Sequence, residues 1–131
     1  MRTKRLFIVS AAVLLLSATL VAQTKPWVVP STYKSMKNPI AMSDASTLAG
    51  QTLYNKTCTP CHGKTGLGDG VKVKSLKTAP GNFSKDEFQS QTDGEHFYKT
   101  KIGRGEMTKY EGKLSDDDIW NIVNYMRTFK K

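Results

Sequence analysis

The sequence predicts an all-α fold, and three observations carry that reading. The C-terminal stretch places Ile119, Ile122, Val123, Met126 and Phe129 at helical spacing on one stripe. Two other segments show helical period or capping chemistry, around residues 44–58 and 92–103. No pair of segments alternates apolar and polar residues in the manner of paired strands.

The elements follow in order. Met1-Arg2-Thr3-Lys4-Arg5 precedes an uncharged apolar run from Leu6 to Ala22, the form of a secretory signal peptide over residues 1–22. An uncleaved anchor is the competing reading, because the run lies at the lower limit for a spanning helix. Residues 23–43 contain Pro26, Pro30 and Pro39 with few periodic apolar positions, and read as an extended arm packed through Trp27 and Tyr33. From 44 to 131 the chain reads as one domain. Ala45, Leu48, Ala49 and Leu53 recur at three- and four-residue spacing, with Asp44 or Ser46 as the cap. Gly63, Gly66, Gly68 and Gly70 then mark a loop. Val71–Leu76 reads equally as a brief strand or a short helix. Thr92 and Glu95 have capping-box spacing and open a second helix that stops near Gly103. Ser115 caps the last helix, where Asp116, Asp117 and Asp118 suit the positive end of the helix dipole and Lys130 and Lys131 the other.

Composition bounds the function. The chain has 131 residues and a formal charge of +9. Without the first 22 residues, 17 Lys and Arg stand against 11 Asp and Glu, a net charge of +6. That balance favours acidic protein faces as partners. Nucleic acid is excluded as a partner by the export signal and by the lack of a basic-aromatic motif. The same 109 residues hold 35 apolar side chains and 10 glycines, about 41% together, which is thin against the roughly 45–50% (glycine included) of a globular domain. Something other than side chains is expected to complete the core.

The only two cysteines form Cys58-Thr59-Pro60-Cys61-His62, the pattern of c-type haem attachment. Two thiols three residues apart on a helical turn face the same way and can add to the two vinyl groups of one haem. The adjacent imidazole can then reach the iron. A disulfide would give no reason for His62. A thioredoxin-like pair needs a βαβ setting, and a structural zinc site needs four ligands.

From Asp44 onward the chain resembles a small monohaem class I cytochrome c of the bacterial exported type, with histidine–methionine ligation. Gly50 and Tyr54 stand where such cytochromes carry a small residue and an aromatic, and Ile122 and Tyr125 resemble the crossing pair on the last helix. Gly68-Asp69-Gly70 and Ile102-Gly103-Arg104-Gly105-Glu106-Met107 are similar to the segments that follow the attachment motif and deliver the sixth ligand. The resemblance implies a cytochrome c fold, with three or more helices wrapped around one haem c attached through Cys58 and Cys61.

The iron ligands expected are His62 and Met107. Met126 falls in the apolar stripe of the last helix, and Met36 and Met42 precede the domain. Met107 follows a Gly-Arg-Gly loop that no helical stripe explains, and His96 is the alternative. Thr108 follows Met107 where many relatives carry proline. Pro80 is the acceptor that the resemblance implies for the second nitrogen of His62, and Trp120, Tyr110 and Arg104 are candidate donors to a haem propionate.

An iron held on both sides has no open position for substrate. The expected function is therefore a periplasmic electron carrier or electron-transfer subunit, not an enzyme. Lys64, Lys72, Lys74 and Lys109 would dock acidic faces of an oxidase, reductase or dehydrogenase. Membrane association would arise only from an uncleaved N-terminus or a membrane complex. The alternative is a haem-based ligand-binding or sensor protein in which Met107 leaves the iron readily.

Overall fold

The computed structural model describes residues 25–131, so the segment read as a signal peptide lies outside the described residues. The order of elements is α1 (Ser31–Lys34), α2 (Asp44–Thr57), α3 (Thr59–His62), a 3-10 turn (Val73–Ser75), α4 (Asp86–Gln89), α5 (Asp93–Ile102) and α6 (Asp116–Arg127). Among the described residues there is no strand, only isolated bridges at Arg104–Met107 and Glu111–Leu114. The all-α expectation holds, and Val71–Leu76 resolves as a helical turn.

Three helices open on capping boxes, in which a side chain and a backbone amide satisfy each other's orphan groups. Thr92–Glu95 and Ser115–Asp118 fall where the sequence placed them. At α2 the cap is Ser43, not Asp44 or Ser46: Ser43 Oγ accepts from the Ser46 amide at 3.1 Å, and Ser46 Oγ accepts from the Ser43 amide at 2.9 Å. The last helix ends at Arg127, before Lys130 and Lys131.

The buried face of α2 also differs from the expected stripe. Ser46, Gly50 and Tyr54 face inward, whereas Leu48 is 63% exposed. The reason is the crossing with α6. A Cβ on Gly50 would lie 1.9 Å from the Asn121 carbonyl oxygen, so the two backbones touch and only a glycine fits between them. Ridge-and-groove packing normally keeps helix axes about 8–10 Å apart with side chains between. Here the small residue, not the apolar one, selects the face.

Around this crossing lies the aromatic core. Tyr54, fully buried, meets Tyr125 edge-on at 5.2 Å and Phe129 at 5.3 Å. Phe97 of α5 stacks on Trp120 of α6 at 4.0 Å, a geometry that adds to simple burial.

The segment expected as an extended arm contains α1 and is bound into the fold. Tyr33 lies 4.8 Å from Tyr98 and 6.3 Å from Phe97. A Cβ on Gly94 would meet the Tyr33 carbonyl oxygen at 1.8 Å. Asn38 Nδ2 donates to Asn124 Oδ1 at 2.8 Å and Asn124 Nδ2 donates to the Ile40 carbonyl at 3.1 Å. Prolines broke the helical period without preventing a single turn that follows Pro30.

Gly50→Ala should separate α2 from α6. We expect a loss of about 1–3 kcal/mol, the usual cost of overpacking, read as a lower denaturant midpoint. Unchanged stability would show that the backbones are not in contact.

Candidate functional site

One cavity of about 470 Å³ lies inside the domain, within the roughly 300–1,000 Å³ usual for cofactor sites. Cys58, Cys61 and His62 line one part of it and Met107 another. The sequence separates Met107 from His62 by 45 residues, and the fold brings them to one space. Ile122 and Met126 of α6, with Phe83 and Phe88, supply apolar wall.

The cysteine–histidine turn is held from both sides. The Cys58 amide donates to the Tyr54 carbonyl at 2.8 Å, continuing α2 into α3. Tyr54 Oη donates to the Gly63 carbonyl at 2.9 Å, so the core aromatic reaches the end of the turn. The glycine-rich loop folds back over it: the amides of Gly68, Gly70 and Lys72 donate to the carbonyls of His62, Cys61 and Pro60 at 2.9, 3.2 and 2.9 Å. A Cβ on Gly70 would strike the Pro60 carbonyl oxygen at 2.4 Å, so glycine is needed there for close approach.

Burial sets the chemistry of these groups. It pushes His62 down to about 4, leaving a neutral imidazole with a lone pair for a metal. It pushes the Cys58 thiol up to about 11, offset in part by the Thr57 hydroxyl, so the thiol stays protonated. His62 Nδ1 is buried without a hydrogen-bond partner, so the Pro80 carbonyl does not accept from it. That carbonyl packs instead against Gly68, where a Cβ would lie 2.5 Å away. Two free thiols, a neutral imidazole with an orphan nitrogen and a largely apolar cavity fit a covalently held haem.

The other methionines separate by position. Met36 and Met42 are 38% and 56% exposed, whereas Met126 is buried in the α6 stripe at 5% and also lines the cavity. Of the expected propionate donors, Tyr110 lines the cavity but its hydroxyl donates to the Thr57 carbonyl at 2.9 Å. Trp120 stacks on Phe97 and does not line the cavity. Arg104 donates to the Lys25 carbonyl at 2.7 Å. Lys64, Lys72, Lys74 and Lys109 are all exposed, and Lys109 pairs with Glu111 at 2.6 Å.

His96, the alternative ligand by sequence, is a buried residue of the cavity wall. It is 2% exposed, stacks on Phe88 at 4.0 Å and lines the cavity. Its Nε2 has no partner. A polar residue at a helical core position carries no sequence mark that separates it from a surface one.

The fold and the Cys58–His62 turn define the class: a small monohaem cytochrome c of class I, carrying haem c. The chain belongs to the family described as "Cytochrome C oxidase, cbb3-type, subunit III", which matches residues 45–126. It is an electron-transfer haem protein. No curated protein matches the sequence. Among solved structures it is similar to the Kuenenia stuttgartiensis reducing HAO-like protein complex Kustc0457/Kustc0458, with TM-score 0.66 and 23% identity over 71% of this chain and 47% of that one. It is also similar to the KustC0563 c-type cytochrome, with TM-score 0.55 and 27% identity over 63% of this chain and 98% of that one. Cytochrome CL of Methylophaga aminisulfidivorans shares the fold at TM-score 0.52 and 22% identity, over 66% of this chain and 56% of that one. The chain thus spans about half the length of the first of these.

Burial holds His96 down at about 3, with Arg127 and Lys99 adding to the effect and a backbone hydrogen bond at Phe88 opposing it. The unfolded chain, with His96 near 6.5, therefore binds the extra proton, and stability falls as pH drops from 6.5 toward 3. His96→Leu in the holo-protein should flatten this slope, because the group held neutral by burial is removed. Denaturant midpoints at about pH 4.5 and pH 7 check this. A slope between these pH values equal to the native one would show that His96 does not carry the acid sensitivity.

Proposed function

We propose that this protein is an exported single-electron carrier whose haem is attached through Cys58 and Cys61 and whose iron is held by His62 and Met107. The observation that carries the reading is the convergence of these four side chains on one cavity. Bound there, haem c supplies a one-electron iron couple. His62 and Met107 would hold its iron and leave it no position for a substrate, and imidazole–thioether ligation would favour a high potential. His62 serves as a neutral ligand because burial keeps it unprotonated.

The basic N-terminal pattern followed by the apolar run supports export to the periplasm. Among the described residues no helix is long and apolar enough to cross a membrane. The exposed lysines of the glycine-rich loop and 3-10 turn, Lys64, Lys72 and Lys74, support docking to acidic faces of a redox partner. The family's description as an oxidase subunit supports a respiratory partner. The reading as a labile ligand-binding protein rests on the missing proline after Met107. Against it, the Arg104 and Met107 main chains exchange hydrogen bonds at 3.2 and 3.0 Å, which supports a braced loop.

A visible-spectrum redox titration tests the ligand set. A weak ferric thioether–iron band is expected in the native protein and lost in Met107→Ala, with a fall in potential on the order of 0.1–0.3 V, inside the roughly 0.8 V that axial ligands span. Ready carbon monoxide binding by the native ferrous protein near neutral pH would overturn the carrier reading.

Steering predicts that the electron-transfer rate with an acidic redox partner falls as salt rises, because exposed charges are screened over about 8–10 Å at physiological strength. Stopped-flow rates independent of ionic strength would remove the lysine docking claim.

A further inference from the structure

Beyond the Arg104–Met107 main-chain pair, the loop that carries Met107 has little stiffness of its own. Gly103 and Gly105 both take positive φ, at 64° and 58°, and no proline follows the methionine. Its two charged residues are instead tied outward. Glu106 accepts from the amides of Lys77 and Thr78 at 2.8 and 3.2 Å. Arg104 reaches the chain before α1, where its guanidinium lies 4.3 Å from the Trp27 ring centroid and Nη1 donates to the Lys25 carbonyl at 2.7 Å. A planar guanidinium can stack and donate at once, which a lysine cannot reproduce.

The same short segment belongs to the cavity. Lys25 and Trp27 line it together with Arg104 and Met107. Beyond Trp27 the segment is fixed, because Val29 is 6% exposed and Tyr33 lies against Tyr98 and Phe97. A tether anchored at one end and clasped to Arg104 at the other restrains the loop three residues from its methionine.

We infer that Trp27 and Arg104 are positioning residues for the axial methionine: residues 25–29 form a strap that clasps the Arg104–Met107 turn and keeps the thioether in the cavity. The inference rests on Met107 being an iron ligand. The strap and the Glu106 tie pull on opposite shoulders of one turn. Loss of the strap alone leaves the methionine bound under ordinary conditions but easier to displace.

The test is competition for the iron in the ferric holo-protein, read by the thioether–iron band as imidazole is added. Trp27→Ala and Arg104→Gln should each raise imidazole affinity by roughly tenfold, the scale of losing one stacked, hydrogen-bonded contact, with Trp27→Phe intermediate. Leu53→Ala, which loosens the core away from the loop, is the control for general destabilisation. The strap is refuted if Trp27→Ala binds imidazole as the native protein does. It is equally refuted if Leu53→Ala gains as much affinity at the same loss of melting temperature. Absence of the band in the native protein, or its survival in Met107→Ala, removes the ligand assignment and the strap with it. An imidazole affinity for Trp27→Phe between those of the native protein and Trp27→Ala, with the band intact, supports the clasp.

Discussion

Everything in this domain depends on the contact between two helix backbones at Gly50 and Asn121. Because no side chain stands between them, α2 and α6 are fixed in both distance and rotation. That rotation turns Tyr54 into the aromatic cluster with Tyr125 and Phe129. The hydroxyl of Tyr54 then lands on Gly63, the residue after the cysteine–histidine turn. A constraint between two peptide groups is thereby relayed through one tyrosine to the backbone beside His62.

The apolar inventory explains why the interior is built as walls. Ile122 and Met126 stand on α6, while Phe83 and Phe88 sit on the loop and short helix that face it. Helices alone would leave these surfaces without partners, and removing apolar surface from water is the dominant favourable term in folding. Haem c is large, flat and largely apolar, so it supplies the area that 35 apolar residues do not.

Much of this was legible along the chain, for reasons that can be named. The α6 stripe, the Thr92 and Ser115 caps and the Cys58–His62 turn are local patterns, each set by chemistry within a few residues. The inward face of α2 was not legible, because a glycine selected it through contact with a residue 71 positions away. His96 failed for a similar reason: its burial comes from Phe88 and the cavity, not from its own helix. For the residues before Asp44, packing through Trp27 and Tyr33 was legible, whereas the α1 turn and the reach of Asn38 to Asn124 were not, because the latter depends on a partner 86 positions away. Of the site itself, the four candidate haem residues were named from sequence, while the groups that hold the methionine loop in place were not.

The crossing of α2 with α6 also sets an order in time. It joins the first long helix to the last one, so a contact between distant parts of the sequence is also the one that fixes the rest. A chain emerging N-terminus first cannot close this contact until α6 is out. During that interval the two thiols lack the wall that Ile122 and Met126 bring to their cavity. The topology thus acts as a delay, leaving the attachment turn open on that side until α6 docks.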